Sequence, residues 1–189
     1  MTKNSSIHQR PYSQLMLASE YAAKQHREQR RKGADGCPYI NHPIEVAALL
    51  ADVGGVEDVA ILCAALLHDT VEDTPTTFED LTSLFGHAVM TLVAEVSDDR
   101  SLPRDERKRL QILHAAKLST GAKLIKLADK LCNVRDMIQH PPANWSRERK
   151  LGYIAWSIQV VDEIRGVHPQ LEAHFDAVAA NCRANLAGN

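Results

Sequence analysis

Between a few breaker clusters, apolar residues recur at helical spacing along nearly the whole chain, and convincing strand alternation appears nowhere. The breakers are sparse: Gly33–Pro38, Gly54–Gly55, Thr74–Thr77, Pro103 and Pro141–Pro142. The intervals predict helices over about 14–31, 43–53, 57–72, 86–97, 103–117, 121–138, 145–165 and 168–185, with another starting at Thr77. The implied fold is all-α, a compact bundle of roughly eight or nine helices. A chain of 189 residues, 44% hydrophobic and 24% charged, suits one domain with a sizeable core. That domain is expected over 1–189, its core at about 15–165 and its last helix at about 168–185. A formal net charge of −2 argues against general nucleic-acid binding. No apolar run is long enough for a spanning helix, and MTKNSSIHQR lacks a signal-peptide stretch. Cys37, Cys63, Cys132 and Cys182 form no CxxC pair, which reads as a reduced, cytoplasmic protein.

One predicted helix carries chemistry. The segment EDVAILCAALLHDTVED is apolar on nearly all sides before it reaches His68, Asp69, Glu72 and Asp73. At about 100° per residue, those four side chains fall within an arc of about 140°. Burying an imidazole and three carboxylates is costly without a counter-charge, and a divalent cation supplies one. His42, in PYINHP, and Asp129, in KLIKLADKLCNVRD, can complete the site. Two imidazoles and two carboxylates fit Mn²⁺ or Fe²⁺, and also Zn²⁺. Glu72 and Asp73 are then left beside the metal, where a general acid/base would orient or deprotonate water. His8, His87, His114, His140, His168 and His174 read as surface residues, and His26 as a candidate support to the site. The ordinary alternatives are satisfied core histidines and an Asp129 paired with Lys126 or Lys130.

RKGADGCPYINHP, LLHDTVEDT, SDDRSLPRDERKRLQ and KLIKLADKLCNVRD together resemble the HD superfamily of metal-dependent phosphohydrolases. Within it the chain resembles the hydrolase domain of the RelA/SpoT alarmone enzymes, most of all the stand-alone small alarmone hydrolases of the metazoan SpoT-homologue type. The resemblance covers roughly residues 15–165. It implies His42, His68, Asp69 and Asp129 as ligands of one Mn²⁺ per chain, and Glu72 and Asp73 as the catalytic pair. It implies Asn133 near the nucleotide sugar, and Arg31 and Lys32 on the base and phosphates. Arg104, Arg149 and Tyr153 fall at further substrate positions, Arg104 standing where the metazoan-type proteins carry Lys. Lys126 is expected to share in offsetting substrate charge.

The implied reaction is hydrolysis of (p)ppGpp to GDP or GTP and pyrophosphate. Only about 24 residues follow position 165, so hydrolysis without synthesis is expected. The competing readings are an NADPH 2′-phosphatase or nucleoside 5′-monophosphatase on the same site, a non-catalytic alarmone-binding module, and a purely structural bundle. Oligomeric state is not readable from the sequence.

Overall fold

Helix-forming sequence punctuated by caps gives ten helices among residues 10–188, which the computed structural model describes. They are α1 Pro11–Gln25, α2 Asn41–Asp52, α3 Val59–Leu67, α4 Thr70–Asp73, α5 Phe78–Phe85, α6 His87–Val96, α7 Arg104–Ala115, α8 Thr120–Gln139, α9 Arg147–Asp162 and α10 Pro169–Ala187. The starts follow local chemistry. Pro11 and Pro169 sit in the first turns of α1 and α10, where a missing N–H costs nothing. Thr77 and Asp80 form a capping box at α5. Asp58, Ser119 and Ser146 accept backbone N–H groups at the starts of α3, α8 and α9.

Three expectations are corrected. The first helix ends at Gln25, so Arg27 to Lys32 lie in an irregular segment tied to the following loop by an isolated bridge Arg30–Pro38, while Gly33 is bridged to Pro142 in the connection between α8 and α9. The predicted 57–72 helix is two helices, which raises the count to ten. His68 and Asp69 keep right-handed backbone, but side chains there take carbonyls that a continuing ladder would use. His68 Nδ1 bonds the Ala65 carbonyl at 2.8 Å, and the Thr70 hydroxyl donates to the Leu67 carbonyl at 2.7 Å. His168 and His174 are half-buried rather than surface residues, and His168 caps α10 through Nδ1 and bonds the Gly54 carbonyl through Nε2. His8 lies outside the described residues.

The core is centred on α3 and α8. Leu62 through Leu67 are all buried, as their all-round apolar pattern requires. α3 packs on α1, α2 and α6, while α8 packs on α10, α2, α6 and α9. Gly121 lets α8 begin this close, because a Cβ there would stand 2.8 Å from Leu92 and 3.2 Å from Ile61. Leu124, Ile125, Leu127, Ala128 and Leu131 then anchor α8 so that Asp129 meets α2 and the α3–α4 break.

Candidate active site

Three elements converge on four donor atoms. His42 comes from the first turn of α2, His68 and Asp69 from the α3–α4 break, and Asp129 from the middle of α8. One donor atom each from His42, His68 and Asp69 lies within 4.8 Å of the others. Asp129 Oδ1 stands 3.1 Å from His42 Nε2 and 3.8 Å from His68 Nε2. Asp69 Oδ2 stands 3.1 Å from His68 Nε2 and 3.8 Å from His42 Nε2. Ligands about 2.1 Å from one ion are separated by roughly 3.0 Å when cis. The arrangement therefore fits a single divalent cation.

The local chemistry supports that fit. His68 Nδ1 is taken by the Ala65 carbonyl, which turns Nε2 toward the cluster. That Nε2 is buried and makes no aligned hydrogen bond among the described residues. Burial alone would suppress charge on His68, yet Asp69 and Asp129 raise its pKa to about 9. Burial also opposes ionisation of Asp69, but His68 holds that carboxyl far below the usual range. Burial likewise opposes ionisation of Asp129, which Lys130 and His42 hold well below the ordinary value. Burial lowers the pKa of His42, which leaves it available as a neutral ligand. Two ionised carboxylates facing two imidazoles attract a cation of higher charge.

Glu72 and Asp73 sit in different surroundings. Asp73 is held at both oxygens: Arg100 donates to Oδ1 at 2.6 Å and Gln29 Nε2 to Oδ2 at 2.8 Å. Gln29 is fixed in turn by the buried His26, whose Nδ1 lies 2.6 Å from its Oε1. His26 thus supports the site at one remove. Glu72 accepts the Asp98 backbone N–H at Oε1, 2.8 Å away. Burial, reinforced by the Asp69 charge, pushes Glu72 up to about 7.

Two adjoining cavities, each of about 360 Å³, form the cleft beside these groups. One is lined by Arg31, Lys32, Tyr39, Asp73, Asn133, Trp145 and Tyr153, among others. The second shares Lys32, Trp145 and Tyr153 and adds Arg104, Arg107, Lys108 and Arg149. Arg149 lies over Trp145 at 4.3 Å, and Lys108 over Trp156 at 4.7 Å. Cations interleaved with aromatic faces suit a polyanion that carries a planar base.

The structure brings Arg31, Lys32, Asn133 and Tyr153 to the first cavity and Arg104 and Arg149 to the second. Arg31 Nη2 donates to Asn133 Oδ1 at 3.1 Å and to Asp136 Oδ2 at 2.5 Å. Asn133 in turn donates to Asp129 Oδ1, linking the cleft to the cluster of histidines and aspartates. Lys126, expected to help offset substrate charge, is bonded within the fold. Its ammonium is buried against the Val96 carbonyl at 2.8 Å and lines neither cleft cavity, facing a neighbouring one that shares Asp98, Arg107 and Gln111 with the second.

Sequence reasoning missed several contributors. The Tyr39 hydroxyl donates to Asp69 Oδ2 at 2.5 Å, and its ring packs on His26 and His42. Arg100 and Asp98 hold the carboxylate pair. Part of the signal was present, since Tyr39 lies three residues before His42. The pairing of Asp129 with Lys130, by contrast, was one of the alternatives weighed from the sequence, and it is present: Lys130 donates to Asp129 Oδ2 at 3.0 Å.

Comparison with known proteins agrees with this geometry. The relatives include guanosine-3′,5′-bis(diphosphate) 3′-pyrophosphohydrolase MESH1 of Homo sapiens, 52% identical over 160 residues, which cover 85% of this chain and 89% of that protein. The Drosophila melanogaster protein of the same name is 49% identical over 168 residues, covering 89% of this chain and 94% of its own. A solved structure described as "A metazoan ortholog of SpoT hydrolyzes ppGpp and plays a role in starvation responses" superposes with a TM-score of 0.87 at 46% identity, covering 96% of this chain and 98% of that one. A family model for the HD domain matches residues 18–153, which contain His42, His68, Asp69 and Asp129, and this chain belongs to the HD domain family.

Proposed function

We propose that this chain is a guanosine-3′,5′-bis(diphosphate) 3′-pyrophosphohydrolase that uses one divalent cation, Mn²⁺ by preference. The observation that carries the reading is the juxtaposition of His42, His68, Asp69 and Asp129 with a carboxylate pair and a cationic, aromatic-lined cleft. The names of relatives spanning most of the chain support the substrate. The mixed imidazole and carboxylate donor set supports Mn²⁺ or Fe²⁺ over a thiolate-seeking metal. When bound, such an ion supplies Lewis-acid charge that makes water acidic near neutral pH and polarises a phosphoryl oxygen.

The chain's own residues do the rest. Arg31, Lys32, Arg104 and Arg149 offset the charge of the two diphosphates. Tyr153 and Trp145 offer faces to the guanine. Asn133, tied to both Arg31 and Asp129, fixes the ribose relative to the cluster. The fully engaged Asp73 orients the attacking water. Glu72, with Oε2 free of hydrogen bonds among the described residues, accepts the water proton. The bond between the ribose 3′ oxygen and its phosphorus breaks, water oxygen joins that phosphorus, and a proton goes to the ribose oxygen.

No helix among the described residues is long and apolar enough to cross a membrane. The four cysteines are free thiols, which supports a reducing, cytoplasmic setting. The substrate assignment is tested by incubating the manganese-loaded protein with ppGpp or NADPH at equal concentration and separating the products by anion exchange. Equimolar GDP and pyrophosphate are expected. Turnover of NADPH to NADH with ppGpp inert would replace the substrate and keep the site.

A further inference from the structure

The loop between α6 and α7, residues 97–103, grips the catalytic pair from one side. Its Asp98 backbone N–H bonds Glu72 Oε1 at 2.8 Å. Its Arg100 donates to Asp73 Oδ1 and to the Glu72 carbonyl. A loop can hold a carboxylate only as firmly as it is itself held. Lys126 fixes its start through the Val96 carbonyl, and Gln111 of α7 donates to Asp98 Oδ2 at 2.6 Å. The Gln111 side chain has no other polar partner among the described residues: its Oε1 is buried and unbonded. A buried carbonyl oxygen left unpaired on a half-buried side chain is costly. The bond to Asp98 is therefore the polar contact that fixes this side chain among the described residues.

We propose that Gln111 is a positioning residue that sets Glu72 through Asp98, a strut from α7 to the catalytic carboxylate. The strut accounts for a neutral side chain of α7 entering the chemistry on a helix otherwise rich in cations facing the cleft. The inference rests on the assignment of Glu72 to proton transfer made above.

The test compares Gln111→Met, Asp98→Ala, Asp98→Asn and the double variant Gln111→Met/Asp98→Ala by kcat, KM and melting temperature. Small displacements of a catalytic group cost up to about 100-fold in rate. Gln111→Met and Asp98→Ala should each lower kcat by about 10- to 100-fold at unchanged KM, and the double variant should lose no more than either single one. Asp98→Asn keeps an oxygen acceptor for Gln111 and should stay within about threefold of wild type. Gln111→Glu supplies a signature that a merely structural role lacks. Its introduced carboxyl repels Asp98 when ionised but donates when protonated. Its kcat relative to wild type should rise as pH falls, while that of Gln111→Met stays flat.

A raised KM with intact kcat in Gln111→Met would make Gln111 a substrate contact and overturn the strut. So would losses that multiply in the double variant. If Gln111→Met fails to fold, the Asp98 pair and the pH response of Gln111→Glu decide alone. Full activity in Glu72→Gln would bring down the Glu72 assignment itself. An inactive Glu72→Gln beside a fully active Gln111→Met would bring down only the strut.

Discussion

Replacing Glu72 by Gln should make the metal-free protein more stable at alkaline pH while depriving it of activity. In the fold, burial and the Asp69 charge raise Glu72 from 4.5 to about 7. At about 1.4 kcal/mol per pH unit, that rise costs about 3 kcal/mol once the group is fully ionised. Between about 4.5 and 7 the folded protein keeps a proton that the unfolded chain has released. Stability therefore falls as pH rises through that window, and the whole cost is present above it. Gln stays neutral and retains an oxygen for the Asp98 N–H, so it removes the cost without removing the hydrogen bond. The expected gain is about 3 kcal/mol at pH 8 and below about 1 kcal/mol at pH 5. For a chain of this size, the former corresponds to roughly 6–12 °C in Tm. The assay is thermal unfolding of chelator-treated wild type and Glu72→Gln at both pH values, with turnover measured separately after metal is restored. No gain at pH 8, or an equal gain at both, would refute the argument that Glu72 is held in a charge-averse site.

Four further outcomes follow from the same contacts. Asp69→Ala removes an oxygen that lies within 3.8 Å of both imidazoles, so metal content and turnover should fall together; unchanged turnover at saturating Mn²⁺ contradicts the ligand assignment. Tyr39→Phe deletes the hydroxyl that donates to Asp69, and metal affinity measured by competition with a chelating dye should weaken by about 10-fold. Arg31→Ala leaves Asp136 buried and unpaired, so a destabilisation of about 3 kcal/mol in urea unfolding should accompany a raised KM. Adding Asp136→Asn should recover much of that stability but none of the KM. Thr77→Ala breaks the capping box of α5, which lines neither cleft cavity, and should cost about 1 kcal/mol with activity unchanged.

The elements that were legible in the sequence are those whose signal is local. Apolar periodicity located the helices, and Thr77-x-x-Asp80 located the α5 cap, because period and capping are set by neighbours in sequence. The convergence of His42, His68, Asp69 and Asp129 was legible because an imidazole and carboxylates at the end of an all-apolar segment are too costly to bury without a counter-charge. The break after Leu67 was not legible. It arises where the His68 and Thr70 side chains take backbone carbonyls, a competition that helical periodicity does not register. The end of α1 was misjudged because the basic run to Lys32 continues a helix-compatible composition; the structure instead shows Arg31 N–H bonded to the Cys37 carbonyl at 2.9 Å, in a segment that returns to the cleft. Lys126 and Lys130 look equivalent in sequence, yet four residues of α8 separate a lysine on the Val96 carbonyl from one on Asp129. Tyr39, Asp98 and Gln111 act through partners 13 to 30 positions away, distances that short motifs do not span.

The central claim is that two histidines and two aspartates hold one divalent cation on which hydrolysis depends. The most direct measurement titrates Mn²⁺ into chelator-stripped protein and follows, on the same samples, bound manganese by equilibrium dialysis and pyrophosphate released from ppGpp. Turnover should start from a negligible level and rise in parallel with bound metal, both saturating at one ion per chain. Full hydrolysis by the stripped protein, or saturation of binding without hydrolysis, would contradict the account.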